Sequence, residues 1–158
     1  MIPMVSLQAV VTEMDVPNDE TRAYLNKRTG ELVTFGNEEL GLAEEEEKIE
    51  IKDYPEWQQD MIRKAQEVLD SAEYLPLPSK FDIHEYAIME HFCLSIGDEK
   101  VSEDLLYQIR GSGAFRRFKE AIHRHALVEE WHHFRQAALE EIAREWLEAN
   151  TIPYKKKG

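Results

Sequence analysis

The sequence predicts an α+β fold dominated by helix. Three observations carry this. There is one clear hairpin signal near the N-terminus, one further β-alternating run after it, and a second half built almost wholly from runs with helical apolar spacing. A hairpin or small sheet cannot bury its own face. The expectation is therefore a single domain over 1–158 with one continuous core. In it, an N-terminal helix and small antiparallel sheet (1–75) pack with a helical C-terminal half (76–158).

The elements follow in chain order. Ser6 followed by Leu7, Val10, Val11 and Met14 gives an N-cap and apolar spacing of i, i+3, i+4, i+7 for a short first helix. Pro17-Asn18-Asp19 should end it. Ala23 to Asn26 and Glu31 to Phe35 are β-prone runs flanking Lys27-Arg28-Thr29-Gly30, with Gly30 available for a positive φ. Lys48 to Lys52 alternates at period two and is the expected third strand. Glu38 to Glu47 holds six glutamates and reads as a solvated loop or frayed helix rather than a calcium loop, which would need Gly, Asp or Asn punctuation.

Pro55 and Glu56 open a long helix whose expected inner stripe is Trp57, Met61, Ala65, Val68, Leu69 and Ala72. Tyr74 to Ser79 reads as an extended connector, because each residue before a proline is pushed out of the helical region. Asp82 and Glu85 read as a capping box for a central helix from Ile83 to about Ile96, apolar on several faces. Gly97-Asp98 breaks it, and Ser102-Glu103-Asp104 starts the next helix. After Gly111-Ser112-Gly113 comes a helix from Ala114 to His125 with Phe115, Phe118 and Ile122 inside. Val128 to Ala149 is a long helix with Trp131, Phe134, Ala138, Ile142 and Trp146 inside, stopped by Asn150 and Pro153.

Composition narrows the function. The 158 residues carry 32 acids against 19 Lys and Arg, a net charge of −13. Such a surface argues against broad coating of nucleic acid or anionic membrane. The charge is uneven. Residues 1–75 hold 18 acids and 7 bases, whereas residues 110–124 hold five bases and one acid. The acidic total therefore leaves room for one small anion site. A single cysteine, Cys93, allows no intramolecular disulfide and fits a reducing cytosol. No secretory leader and no membrane-spanning run is recognised, so the expected location is cytoplasmic.

Three constellations could carry chemistry. The first is Arg110-Gly111-Ser112-Gly113 with Arg116, Arg117 and Lys119. A glycine turn opening a helix presents backbone N–H groups, and the basic side chains could converge on an anion or a partner. The structural alternative is a tight inter-helix turn whose arginines pair with the chain's excess carboxylates. The Lys-Ser/Thr of a P-loop is missing. The second is His123, His125, His132 and His133 with Glu129 and Glu130. Glu130 and His133 form one of two overlapping Glu-x-x-His spacings, but the second such helix that a di-metal site needs is missing. Surface histidines at a helix junction are the alternative. The third is Cys93, whose place on an apolar face argues for a buried structural thiol. No serine-nucleophile elbow occurs.

With these residues laid out, the chain resembles an uncharacterised family of small acidic bacterial proteins. The likeness runs through Tyr24-Leu25-Asn26, Gly30 to Val33, Leu75 to Pro78, Phe81-Asp82-Ile83 and Met89 to Phe92. It is most specific in Gly111-Ser112-Gly113-Ala114-Phe115-Arg116-Arg117-Phe118-Lys119, followed by Trp131, Phe134-Arg135 and Glu145-Trp146-Leu147. The resemblance implies a bacterial cytosolic protein and supplies no mechanism.

The functional expectation is a non-catalytic binding or regulatory protein with an unknown protein partner, no cofactor and no catalytic residues. The alternative is a small-anion or nucleic-acid ligand held by the 111–113 turn with Arg116 and Arg117. A second alternative is a metal-dependent hydrolase using the His123–His133 cluster.

Overall fold

A computed structural model describes residues 4–15, 20–44 and 51–156. The fold is α+β and mostly helical, with a helix and small antiparallel sheet in the N-terminal region and helices through the C-terminal half. The chain divides into two compact units, residues 1–82 with 142–158, and residues 83–141.

In the first unit, β1 (Val5–Ser6) leads into α1 (Leu7–Met14). The Ser6 hydroxyl accepts from the Ala9 N–H at 3.1 Å, the expected N-cap. Leu7, Val10, Val11 and Met14 are all buried. The expected helix stop at Pro17-Asn18-Asp19 lies outside the described residues. Then β2 (Thr21–Asn26) pairs antiparallel with β3 (Leu32–Gly36). Their connection is the predicted turn. Asn26 Oδ1 accepts from the Arg28 and Thr29 N–H groups at 2.8 and 3.0 Å, and Gly30 takes φ 79°.

The third strand is not where the alternation placed it. The central β2 pairs on its other edge with β4 (Tyr74–Pro76), antiparallel, giving the order β3-β2-β4. Residues 48–50 of the expected strand lie outside the described residues, and Ile51–Asp53 forms a 3₁₀ turn. The prolines that suggested a connector are compatible with an edge strand, where a missing N–H faces away from the ladder.

α2 (Asn37–Glu44) and α3 (Glu56–Asp70) complete the sheet's cover. Tyr24 and Phe35 from the sheet, Leu40 from α2, and Ala65 and Val68 from α3 form one buried cluster. The inner stripe of α3 keeps the expected Ala65 and Val68, with Leu69 packed against the same cluster, but at its N-terminal end Gln58 and Ile62 are buried and Trp57 is exposed. Gln58 is turned inward and donates to Glu38 Oε1 at 3.4 Å. The other end of the chain returns to this unit, as β5 (Tyr154–Lys155) lies parallel to β1 and Val5 N–H donates to Pro153 O at 3.0 Å.

α4 (Lys80–Ile83) bridges the unit boundary. Its capping box is Ser79 with Asp82, not Asp82 with Glu85: the Ser79 N–H donates to Asp82 Oδ2 at 2.9 Å and the Asp82 N–H donates to Ser79 Oγ at 3.2 Å. His84, in the left-handed region at φ 53°, separates it from α5 (Glu85–Ser95). Glu85 faces Arg135 instead, at 2.6 Å.

α6 (Glu99–Gln108) begins three residues earlier than expected, because Asp98 caps it by accepting from the Lys100 and Val101 N–H groups. α7 (Ala114–Arg124) and α8 (Val128–Ala149) follow, with α8 on its predicted bounds. Phe92, Phe118, Trp131 and Phe134 pack edge-on at centroid distances of 4.8–6.1 Å and fill the second unit. Phe115, expected inside, is exposed. On α8 the buried row is Trp131, Leu139, Ala143 and Leu147, while Phe134, Ala138, Ile142 and Trp146 are half-buried.

Two helices end on residues that resist the required conformation. After α7, Leu127 N–H donates to Ile122 O at 2.7 Å with Ala126 at φ 55°. After α8, Ile152 N–H donates to Leu147 O at 2.9 Å with Thr151 at φ 56°. Both are closures in which glycine is favoured. Ala126→Gly should therefore raise the unfolding free energy by about 0.5–1 kcal/mol, despite glycine's greater freedom in the unfolded chain. Urea denaturation followed by circular dichroism checks this.

Candidate functional site

The glycine turn that the sequence singled out joins α6 to α7, and its geometry separates the basic residues into two groups. Gly111 and Gly113 take φ 70° and 78°, and Gly113 is the N-cap of α7 with no side-chain cap. Arg117 lies one helical turn further on, and its side chain reaches back towards the turn. Its Nε donates to Gln108 O at 2.8 Å, Nη1 donates to Ser112 O at 2.6 Å, and Nη2 donates to Arg110 O. One guanidinium thus satisfies three carbonyls at the end of α6 and in the turn, groups that an ending helix leaves without partners. A Cβ on Gly113 would stand 3.0 Å from Arg117 Nη1, so this glycine provides clearance as well as conformation.

Arg117 is therefore a structural cross-tie, and its partners are carbonyls rather than the carboxylates the sequence suggested. Arg116 and Lys119 are exposed, and among the described residues neither makes an ion pair. Arg110 lies over the Tyr107 ring, 5.6 Å from its centroid. Tyr107 is 64% exposed and Phe115, in the first turn of α7, is 49% exposed. Tyr86 is also exposed, and its hydroxyl donates to Ile109 O at 2.9 Å. The turn is consequently flanked by three exposed rings and by the guanidinium groups of Arg110 and Arg116. Sequence reasoning missed the rings, because aromatic residues at helical spacing read as core.

The far end of the α6–α7 pair holds a second polar cluster. Asp104 Oδ2 accepts from Arg124 Nη2 at 2.9 Å and from His125 Nε2 at 2.7 Å, and Oδ1 accepts from Gln108 Nε2 at 3.2 Å. These bonds, that from His125 foremost, hold the Asp104 carboxyl down at about 2. The carboxylate is ionised and can only accept, so His125 carries its proton on Nε2. His125 is thus committed to Asp104, whereas His123, His132, His133 and Glu130 stand exposed. Among the described residues, no three His, Cys, Asp or Glu side chains gather closely enough to hold a metal ion. Cys93 is buried, and desolvation raises its thiol to about 11, which leaves no thiolate for nucleophilic work at neutral pH.

Two outcomes follow from these geometries. Arg117→Ala should cost about 2 kcal/mol of unfolding free energy, while Arg116→Ala stays within about 0.5 kcal/mol of wild type, read by urea melts. Asp104→Asn should destabilise by about 1 kcal/mol at pH 7, a value reduced for the half-exposed setting. Because the folded-state value of Asp104 is depressed, that contribution is complete above about pH 4 and fades as pH falls through about 2. The stability gap between wild type and Asp104→Asn should be constant above pH 4 and close below it.

No curated protein and no solved structure matches the chain. The profile of the uncharacterised protein family UPF0158 matches residues 1–157, and the chain belongs to that family.

Proposed function

We propose that the protein is a non-catalytic binding or regulatory protein of the bacterial cytoplasm, and that its recognition surface surrounds the α6–α7 turn. One observation carries this reading: Tyr86, Tyr107 and Phe115 are exposed beside Arg110 and Arg116 in a chain whose net charge is −13. Tyr and Arg are the side chains that most often anchor protein interfaces, because each combines a large contact area with directional polar groups. The local positive charge selects a partner presenting acidic residues. Arg117 and Gly113 fix the turn on which the anchors stand, so the surface is preorganised rather than assembled on binding. The specific Gly111–Lys119 string, which underlies the resemblance to a bacterial family, covers the same region. The single cysteine suits a reducing compartment.

A small anion or a nucleic acid on the same turn is the second reading, favoured by the uncapped N-terminus of α7. The metal-dependent hydrolase has no observation in its favour.

Crosslinking pull-downs from the native cytosol discriminate these readings. The expected result is a protein partner captured equally by wild type and His132→Ala. Tyr107→Ala/Arg116→Ala, with a cost of about 2 kcal/mol in affinity, should lose it. Capture of nucleic acid with steep salt dependence supports the second reading instead. Undiminished capture by Tyr107→Ala/Arg116→Ala contradicts both.

A further inference from the structure

Residues 105–119 hold four bases and no acid, in a chain whose net charge is −13. Arg117 is engaged by carbonyls, so three cations remain: Arg110, Arg116 and Lys119. All three are exposed, and among the described residues no carboxylate pairs with them. Tyr107 and Phe115 are exposed in the same stretch.

An occupant has to match both the charge and the rings. RNA gains affinity with each phosphate that is neutralised; three cations neutralise few, and the acidic chain repels the phosphates beyond them. A peptide with two or three carboxylates meets the same cations and little of that repulsion. A guanidinium lying over a ring, as Arg110 lies over Tyr107, keeps its N–H edge for a carboxylate. The rings call for an apolar anchor beside those carboxylates.

The elements present select the form of the peptide. Every strand among the described residues lies outside residues 83–141, so this unit offers no sheet edge for an added strand. It offers the outer face of α7. Phe115, Arg116 and Lys119 stand exposed at i, i+1 and i+4, while Ala114, Phe118, Ala121 and Ile122 are buried on the other face. Arg116 and Lys119 are separated by about 4.5 Å along the helix axis, and Phe115 and Lys119 by about 6 Å. Side chains one turn apart on a partner helix repeat at that spacing. The exposed Glu120 ends the basic row.

We infer that the α6–α7 surface takes an acidic amphipathic helix, laid along α7, with an apolar anchor on the exposed rings and carboxylates one turn apart against Arg116 and Lys119. This rests on the recognition surface proposed above, specifies the element that it recognises, and makes Lys119 a specificity residue.

Fluorescence anisotropy with labelled synthetic peptides and the full chain tests this. One peptide is an alanine-based helix with a leucine anchor and two glutamates one turn apart on the same face. A second has the same composition with the glutamates moved to the opposite face, and an oligouridylate is the third probe. The expected result is saturable binding of the first peptide, about tenfold or more tighter than that of either other probe. Lys119→Glu should weaken it about tenfold without lowering the melting temperature, and a peptide with lysine in place of the facing glutamate should recover the loss. Lys100→Glu, near the start of α6, makes the same change in net charge and should alter binding by less than about twofold. Equal binding of the two peptides, or no recovery by the exchanged charge, overturns the helical inference and leaves the proposed surface standing. Tighter binding of oligouridylate, or no saturable binding of either peptide, also overturns it. In that case the surface reading falls too only if Tyr107→Ala/Arg116→Ala still captures the native partner.

Discussion

The second unit is organised around one guanidinium. Arg117 answers the carbonyls of Gln108, Arg110 and Ser112, which would otherwise end α6 without partners. This ties the last residues of α6, the glycine turn and the first turn of α7 into one rigid corner. Asp104 does the corresponding work at the opposite end of the same helix pair, through Arg124 and His125. The two ties fix α6 and α7 as an antiparallel hairpin, and the edge-on packing of Phe92, Phe118 and Trp131 fills the space behind it. What the corner leaves outside is equally defined: the Tyr107 ring with Arg110 over it, Phe115, and Arg116.

This arrangement changes the meaning of the local positive charge. Five bases in fifteen residues look like one basic patch in the sequence. The structure assigns Arg117 to carbonyls and Arg124 to Asp104. Arg110, Arg116 and Lys119 remain, set among exposed rings. A surface of that kind suits recognition of a mixed acidic and apolar face better than the dense charge of a polyanion.

Much of the fold was legible in the sequence because local chemistry decided it. Ser6 as N-cap, the hairpin around Gly30, the turn at Gly111–Gly113 and the bounds of α8 all depend on residues within a few positions of one another. The errors share a different cause, since they turn on contacts distant in sequence. The third strand is Tyr74–Pro76 because β2 had a free edge there, which no local pattern records. The parallel pairing of Val5–Ser6 with Tyr154–Lys155 joins the chain's two ends. Only the N-terminal end of the α3 stripe was misread, because hydropathy sends Trp57 inward and Gln58 outward, whereas Gln58 has a hydrogen-bond partner on α2. At the candidate site the sequence located the turn correctly but treated Arg116 and Arg117 as equivalent. Only the direction of the α7 side chains separates the one that reaches back to the turn from the one that faces solvent.

The central claim is that Arg117 is immobilised by the turn while Arg110 and Arg116 remain available on the surface. Nitrogen-15 relaxation of the arginine Nε–H groups reads this directly. The account predicts a slowly exchanging, ordered Nε–H for Arg117 and mobile, rapidly exchanging ones for Arg110 and Arg116. An Arg117 side chain as mobile as that of Arg116 would contradict it.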